Sequence, residues 1–475
     1  MLRRVNGVDE ALMRRSGRLH PSPLDQGMKR LSKIANHSVL WFLVAGVLAT
    51  RKGRTRRAAL RGVVAIAGAS TSANLIGKTL FPRRRPAAEL LPMARRLTRR
   101  PTSSSFPSGH SASAAAFTTA VAMESPKAAM VIAPVAAAVA YSRVHTGVHW
   151  PSDVAAGALA GVGAGLLTRR WWPLGRDEPA SAREHASLEA LVDGEGLVVV
   201  VNPGSGLGDD DPSARISEEW PKAVVVGIDQ LDTVLEEHSP RALGVAGGDG
   251  SVAAVASLAA THRLPLVLIP AGTLNHFARD VGVTGLDDTA RAVADGDGVL
   301  VDLAEVFVDG EGPRWFVNTA SLGGYPDMVR VRERLQDRFG KWPAAAIAMA
   351  RVLATSRPLR VELNGEPHEV WMLFVGNGPY RPKGFAPTMR PALDAGLMDV
   401  RYIRADTRLS RSRFFLGALL GSLHRSRTYR HMETKRLHVK VHGGPVAIAT
   451  DGEVGPSGTD FAFHARPAAL GIYRP

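Results

Sequence analysis

Two histidines, an aspartate and a set of cations recur at fixed spacings in the first third of the chain. Lys78 stands seven residues before Arg85-Pro86, and Pro107-Ser108-Gly109-His110 opens an apolar run. Arg143, following Ser142, precedes His149 by six residues, and Asp153 comes four after that. These residue types suit phosphoryl chemistry. A phosphoryl group spreads negative charge over its oxygens, which guanidinium forks and a lysine point charge neutralise. Backbone N–H groups where the helix begins, at Ser108 and Gly109, add an anion site. One imidazole can attack phosphorus, a second can protonate the leaving alkoxide, and a carboxylate can fix the first ring's tautomer. Each residue also has an ordinary use: cations anchor headgroups, and Asp153 at a helix start is a cap. The joint spacing argues against reading them one by one.

A second set lies beyond residue 197. Three apolar, β-rich runs end in glycine-rich loops: Asn202-Pro203-Gly204-Ser205-Gly206, Gly247-Gly248-Asp249-Gly250-Ser251, and Pro270-Ala271-Gly272-Thr273-Leu274-Asn275. Glycines there let the backbone approach phosphates where a side chain would clash, and loop N–H groups can cradle them. Ser251 and Thr273 can hydrogen-bond phosphate or ribose oxygens. Near the end, Asp451-Gly452-Glu453 reads by itself as a hairpin turn.

The elements that must position these residues differ between the halves. Five Ala/Gly-rich apolar segments, roughly 38–50, 58–77, 111–123, 127–142 and 153–168, are bounded by basic loops such as 51–57 and read as a membrane helical bundle. Gly157, Gly161 and Gly165, four apart, suit close helix packing rather than a nucleotide loop. Arg169-Arg170-Trp171-Trp172 has the composition of an interfacial anchor. Residues 1–36 lack a signal peptide's apolar region, and Leu24, Met28, Leu31 and Ile34 suggest an amphipathic arm lying in the interface. Residues 176–195 are polar and read as a linker. Strand, tight loop and helix then repeat in a doubly wound nucleotide-binding pattern. Beyond residue 318 alternating segments and the Asn364-Gly365 turn indicate a β-rich lobe. The expected architecture is an N-terminal all-α membrane bundle (1–175), a linker, and a two-lobed C-terminal domain with an α/β nucleotide-binding lobe (196–318) and a β-rich lobe (319–475).

Charge and composition narrow the function. Residues 1–175 carry 26 Lys and Arg against 6 Asp and Glu, and the rest 33 against 38. The basic excess flanks apolar helices, as juxtamembrane charge does, so nucleic acid is not an expected partner. With no cysteine, disulfides, thiolate metal sites and cysteine nucleophiles are excluded.

The first constellation resembles the type 2 phosphatidic acid phosphatase family over about residues 25–170, with all three motif elements intact. The resemblance implies His149 as nucleophile, His110 as general acid and base, and Asp153 as the residue orienting His149. Lys78, Arg85, Ser108, Gly109 and Arg143 would bind phosphate, and no metal is implied. His145 falls outside the pattern and is read as structural, and five segments are fewer than the six spans of many relatives. The second half resembles the diacylglycerol kinase catalytic domain, a family that includes sphingosine and ceramide kinases. That implies ATP and magnesium, with Asn202, Gly206, Gly247, Gly248, Asp249, Gly250, Ser251, Gly272, Thr273 and Asn275 at the nucleotide and Glu453 as general base. Asp394 resembles a magnesium ligand of some bacterial relatives. Two departures bear on phosphate geometry and lipid choice: His276 replaces an aspartate common in bacterial relatives, and Gly376–Lys383 is altered.

The implied function is a bifunctional membrane enzyme of phospholipid metabolism, a lipid phosphate hydrolase and a lipid-alcohol transferase. Two alternatives stay open: polyprenyl (pyro)phosphate with polyprenol as substrates, or a kinase-like half that only senses nucleotide. Homo-oligomerisation is also open. ATP places the kinase half in the cytoplasm. Counting spans back puts the 142–153, 101–110 and 78–86 loops outside and the basic 51–57 loop inside, with the N-terminal arm outside against its charge. The segment Arg408–Arg430, rich in Arg, Phe and Leu, reads either as a buried amphipathic helix or as one that touches membrane.

Overall fold

The computed structural model describes residues 2–18, 20, 22–51, 53–98, 100–170, 172, 174, 179–182, 185–202, 212–272 and 275–324. It also describes residues 357–381, 389–419 and 421–475, together with isolated positions between 325 and 356. The chain divides into two compact units, Met1–Arg176 and Asp177–Pro475.

The first unit is all helical: α1 Leu2–Gly17, α2 Pro23–Ile34, α3 Val39–Ala49, α4 Arg54–Leu80, α5 Gly109–Glu124, α6 Pro126–His145 and α7 Pro151–Leu167. Prolines at the first turns of α2, α6 and α7 cost nothing, because those N–H groups have no intrahelical partner. The centre of the bundle is α5, which packs against α4, α6 and α7. Alanines make that packing close: Ala65, Ala69 and Ala73 of α4 meet Ala112, Ala116 and Ala120 of α5. On the other side the expected glycine seam is present. A Cβ at Gly157 would lie 2.3 Å from the Ser108 carbonyl oxygen, one at Gly161 2.2 Å from that of Ala112, and one at Gly165 2.9 Å from Thr119 Cβ. Helix α7 therefore runs nearly backbone to backbone along α5, which fixes Asp153 relative to Ser108.

The count of spans differs from the five apolar segments of the sequence. Among the described residues two helices, α4 and α6, are long and apolar enough to cross a membrane, or three if α2 and α3, bent by 64° at their junction, form one broken span. With 16 and 17 residues, α5 and α7 rise only about 25 Å at 1.5 Å per residue, short of a hydrocarbon core of about 30 Å. The N-terminal arm is also more than an interfacial helix. It turns Asp25 and Ser32 into the bundle while Leu24 and Ile34 face outward.

Among its described residues the second unit holds sixteen strands: β1 His185–Ser187, β2 Leu197–Val201, β3 Val224–Val226, β4 Ala242–Gly247, β5 Leu266–Pro270, β6 Asp297–Val308, β7 Glu311–Phe316, β8 Thr319–Gly323, β9 Leu359–Leu363, β10 Glu366–Asn377, β11 Met398–Arg404, β12 Tyr429–Thr434, β13 Arg436–His442, β14 Val446–Thr450, β15 Glu453–Gly458 and β16 Asp460–Tyr473. Strands β3-β2-β4-β5 are parallel, with continuous apolar runs buried in β2, β4 and β5 and half-buried in β3. Helices α8 Pro212–Glu219, α9 Leu231–His238, α10 Asp249–His262, α11 His276–Val281 and α12 Leu286–Asp295 connect or follow them. The remaining strands pair antiparallel apart from a parallel contact of β16 with β5, and helix α13 Ser410–Leu419 sits between β11 and β12. Strand β16 joins the lobes: it pairs along β6 and sets Ile472 beside Leu266 of β5, so the C-terminus belongs to the nucleotide lobe's core. The stretch expected as linker also packs on this unit. Ala180 is buried in its core and β1 pairs with β6.

Candidate active sites

In the helical unit the cations gather around two imidazoles. Arg85 is fixed by backbone carbonyls: Nη1 donates to Val148 at 2.6 Å, Nε to Ser103 at 3.0 Å and Nη2 to Ser104 at 3.2 Å. Its Nη1 lies 3.4 Å from His149 Nε2. Lys78 lies within electrostatic reach of Arg85 and Arg143 and makes no hydrogen bond or ion pair among the described residues. Arg143 is buried, donates to Ser32 Oγ, and keeps an Nε with no partner among the described residues. Three close cations balanced by so little acid are costly unless an anion is there to share.

His149 is ordered from behind. Its Nδ1 is 2.6 Å from the Ser105 carbonyl oxygen, which can only accept, so Nδ1 carries the proton and Nε2 presents a lone pair toward Arg85. Burial holds this imidazole below its usual range. The charges of Arg143 and Arg85 push the same way, and Asp153 opposes them. Asp153 stands 3.8 Å from Nδ1. Its own oxygens accept from Trp150 N at 2.9 Å and Arg83 Nη1 at 2.7 Å. The carboxylate therefore supplies charge, while the Ser105 carbonyl accepts the Nδ1–H hydrogen bond. His110 Nε2 is 2.9 Å from Asn36 Oδ1. Ser108 caps α5, its Oγ accepting from Ser111 N at 3.4 Å, and Gly109 opens the helix. His145 lies 2.8 Å from Asp25, which also takes Arg95 at 3.0 Å, a cluster that ties α2 to the end of α6.

In the second unit the strand ends bring three loops together. Gly247 ends β4 and Gly248 leads into α10, which begins at Asp249 and Gly250. A Cβ at Gly272 would lie 2.5 Å from Gly248 Cα, so only glycine lets these two loops meet. Asn275, at φ 46°, closes its own loop, accepting from Gly272 N at 2.9 Å and donating to its carbonyl at 2.8 Å. Asn202 Nδ2 donates to Ser251 Oγ at 3.1 Å. Asp249 accepts from His276 N at 2.7 Å, and the His276 ring turns to Arg279, 2.9 Å away. Glu453 is exposed, and a Cβ on Gly250 would meet its Oε1 at 3.4 Å, which sets the carboxylate at the N-terminus of α10. Asp451, at φ 50°, builds the turn behind it by accepting from Val317, Asn318 and Thr319 N at 2.8–2.9 Å. Gly206 and Thr273 lie outside the described residues.

Residues 58–176 match the PAP2 superfamily, and residues 196–306 match the diacylglycerol kinase catalytic domain. The chain joins these two families in one polypeptide. A diacylglycerol kinase of Mycobacterium tuberculosis is 30% identical over 251 residues, covering 49% of this chain and 77% of that protein, so the chain belongs to that kinase family. An undecaprenyl-diphosphatase of Sulfolobus acidocaldarius is 43% identical over 63 residues, covering 13% of this chain and 31% of that protein. A diacylglycerol kinase structure from Bacillus anthracis is 18% identical with a TM-score of 0.40, covering 59% of this chain and 96% of that one. The two domains support phosphatase and lipid kinase activity in general, and the apolar helices of the PAP2 unit associate it with membrane.

The kinase family implies ATP and a divalent metal. Asp394 sits in the loop that Asp302 anchors, with Asp302 N donating to the Leu393 carbonyl at 2.8 Å and Gly396 N to the Asp302 carboxylate. Among the described residues no three His, Asp or Glu gather around one point. Asp399, five residues on, is buried against Arg401 and His431. These donors fit magnesium carried on phosphates with one protein carboxylate, and they do not form a protein cage.

The sequence missed several supporting residues. In the PAP2 unit Arg83 joins Asp153 to Asp9, a buried residue of α1 that also accepts from Ser152 N at 2.9 Å. In the kinase unit buried Arg390 donates to the Val317 carbonyl at 2.6 Å and to Asp280 at 3.0 Å, stacking between Phe277 and Tyr380. Arg83 was visible only as one of three consecutive arginines, and Arg390 gave no local signal.

Proposed function

We propose that this chain is a bifunctional lipid enzyme. The PAP2 unit would dephosphorylate a lipid phosphate through a phosphohistidine, without a metal. The kinase unit would transfer the γ-phosphoryl of ATP to a lipid hydroxyl, diacylglycerol-like in class. The observation that carries the first activity is the cluster of Lys78, Arg85 and Arg143, with a buried unpartnered Arg143 Nε, beside a His149 whose Nε2 is free of its proton. His149 would attack phosphorus, His110 would protonate the departing alkoxide and then activate water, and Ser108 and Gly109 would hold the phosphoryl oxygens.

In the kinase unit the triphosphate would lie over the Gly248–Gly272 contact and the start of α10, with Gly206 and Thr273 completing the loops. Glu453, at the same helix end, would take the proton of the acceptor hydroxyl. Magnesium would enter with ATP, and Asp394 would be a single ligand from the protein. ATP would put this unit in the cytoplasm. With all five apolar segments crossing, the phosphatase site would lie outside and the bilayer would keep the two reactions apart; with α6 as the last span, the 142–153 loop would lie on the kinase side. The stretch shared with the undecaprenyl-diphosphatase supports a second reading, in which polyprenyl (pyro)phosphate and polyprenol are the substrates.

The test uses His149→Ala protein in detergent, so that product persists, with labelled ATP, magnesium and a bacterial lipid extract, beside His149→Ala/Glu453→Ala. A labelled lipid absent from the double variant establishes the kinase, and its mobility identifies the acceptor. No labelled lipid refutes the kinase assignment for the lipids in that extract.

A further inference from the structure

The stretch 404–430 contains seven arginines and a single acid, Asp406, which Arg404 already holds through Nε at 2.9 Å. Arg408, Arg411, Arg413, Arg425, Arg427 and Arg430 are all exposed. The same stretch presents apolar side chains to water: Leu409 is 66% exposed and Leu416 57%. Leu409 holds a left-handed φ of 58°, a conformation a leucine adopts at a cost. The opposite face of α13 is anchored by Phe414, which is buried with Ile403, Leu423 and Tyr429. Trp371 lies beneath, stacked on Arg411 at 4.4 Å and donating through Nε1 to Ser410 Oγ at 3.2 Å. Helix α13 and the residue before it thus offer water two leucines in a stretch rich in guanidinium groups.

We infer that this face docks on an anionic lipid surface and sets the kinase unit against the bilayer that holds its acceptor. The arginines match anionic headgroups in charge, and the leucines reach the acyl boundary. A protein partner would be expected to bring carboxylates to a drier, less uniformly cationic patch. The inference rests on the lipid-kinase reading and adds the surface through which that unit meets its substrate. Both readings of Arg408–Arg430 made from the sequence are therefore combined: α13 is buried on one side, and the other side is the docking face.

The native chain has no cysteine, so a single reporter is clean. Leu416→Cys would carry an environment-sensitive fluorophore on the full chain reconstituted in vesicles, with exposed Val192→Cys as reference. Vesicles of phosphatidylcholine alone would be compared with vesicles containing phosphatidylglycerol, each with and without a spin-labelled lipid. Docking predicts blue-shifted emission at 416, quenched by the spin label and dependent on the anionic lipid, and no response at 192. Arg408→Gln, Arg413→Gln and Arg427→Gln should each weaken the contact roughly fivefold. Emission at 416 unchanged by anionic lipid and unquenched overturns the proposal. So does a response that follows protein concentration rather than lipid, which assigns the face to a second copy. Labelled ATP in the same vesicles separates the two readings: contact without lipid phosphorylation sinks the kinase, and phosphorylation without contact sinks the docking face.

Discussion

Replacing Gly161 by alanine removes no chemical group from either site, yet it should cost the phosphatase most of its activity. The added Cβ would sit 2.2 Å from the Ala112 carbonyl oxygen, and an ordinary contact begins near 3.4 Å. Neither atom belongs to a flexible side chain, so α7 and α5 must part by about 1 Å along this seam. Helix α5 carries Ser108, Gly109 and His110, while α7 carries Asp153 and follows the His149 loop. A displacement of about 1 Å between reacting groups lowers turnover about 100-fold. The assay is kcat for phosphate release from a short-chain lipid phosphate, with kinase turnover on the same preparation as the folding control. Gly163→Ala, on the same helix but with nothing within 4 Å of the added methyl, should leave both rates unchanged. A Gly161→Ala enzyme whose phosphatase kcat stays within about threefold of the parent would refute the idea that this seam sets the site.

Three further outcomes follow. Arg83→Gln or Asp9→Asn should lower phosphatase kcat about tenfold with little change in KM, because each loosens Asp153 without touching substrate; an unchanged kcat refutes the positioning role. The acid limb of kcat/KM for the phosphatase should fall below the ordinary histidine value near 6.5, since His149 must be neutral to attack and its pKa is held down, so the active form survives to lower pH; Asp153→Asn should move the limb lower still, because Asp153 acts to raise that pKa. Asp451→Ala should reduce kinase kcat about 100-fold while nucleotide affinity, read by titration calorimetry, holds; equal loss of both assigns Asp451 to folding alone, since three backbone N–H groups lose their acceptor.

Much of this protein was legible along the chain because its signals are local. Motif elements such as Pro107-Ser108-Gly109-His110, glycine loops after apolar runs and glycines four apart on one helix each depend on a short stretch, and the basic excess of one half needs only counting. What the tertiary structure decided depends on pairs far apart in sequence. Ser105, 44 residues from His149, supplies the acceptor for its proton where the motif suggested Asp153. Arg83 reaches Asp153 across 70 residues, and Asp451 reaches Asn318 across 133. The number of candidate spans likewise turned on the length and bending of the helices, which apolar composition alone does not fix. The placement of β16 in the nucleotide lobe is of the same kind. Its alternation marks a strand, but alternation does not say which strands it will pair with, here β6, β13 and β5. Periodicity and motif spacing report a residue's own element, whereas the atom that holds a catalytic group in place is set by the packing of another.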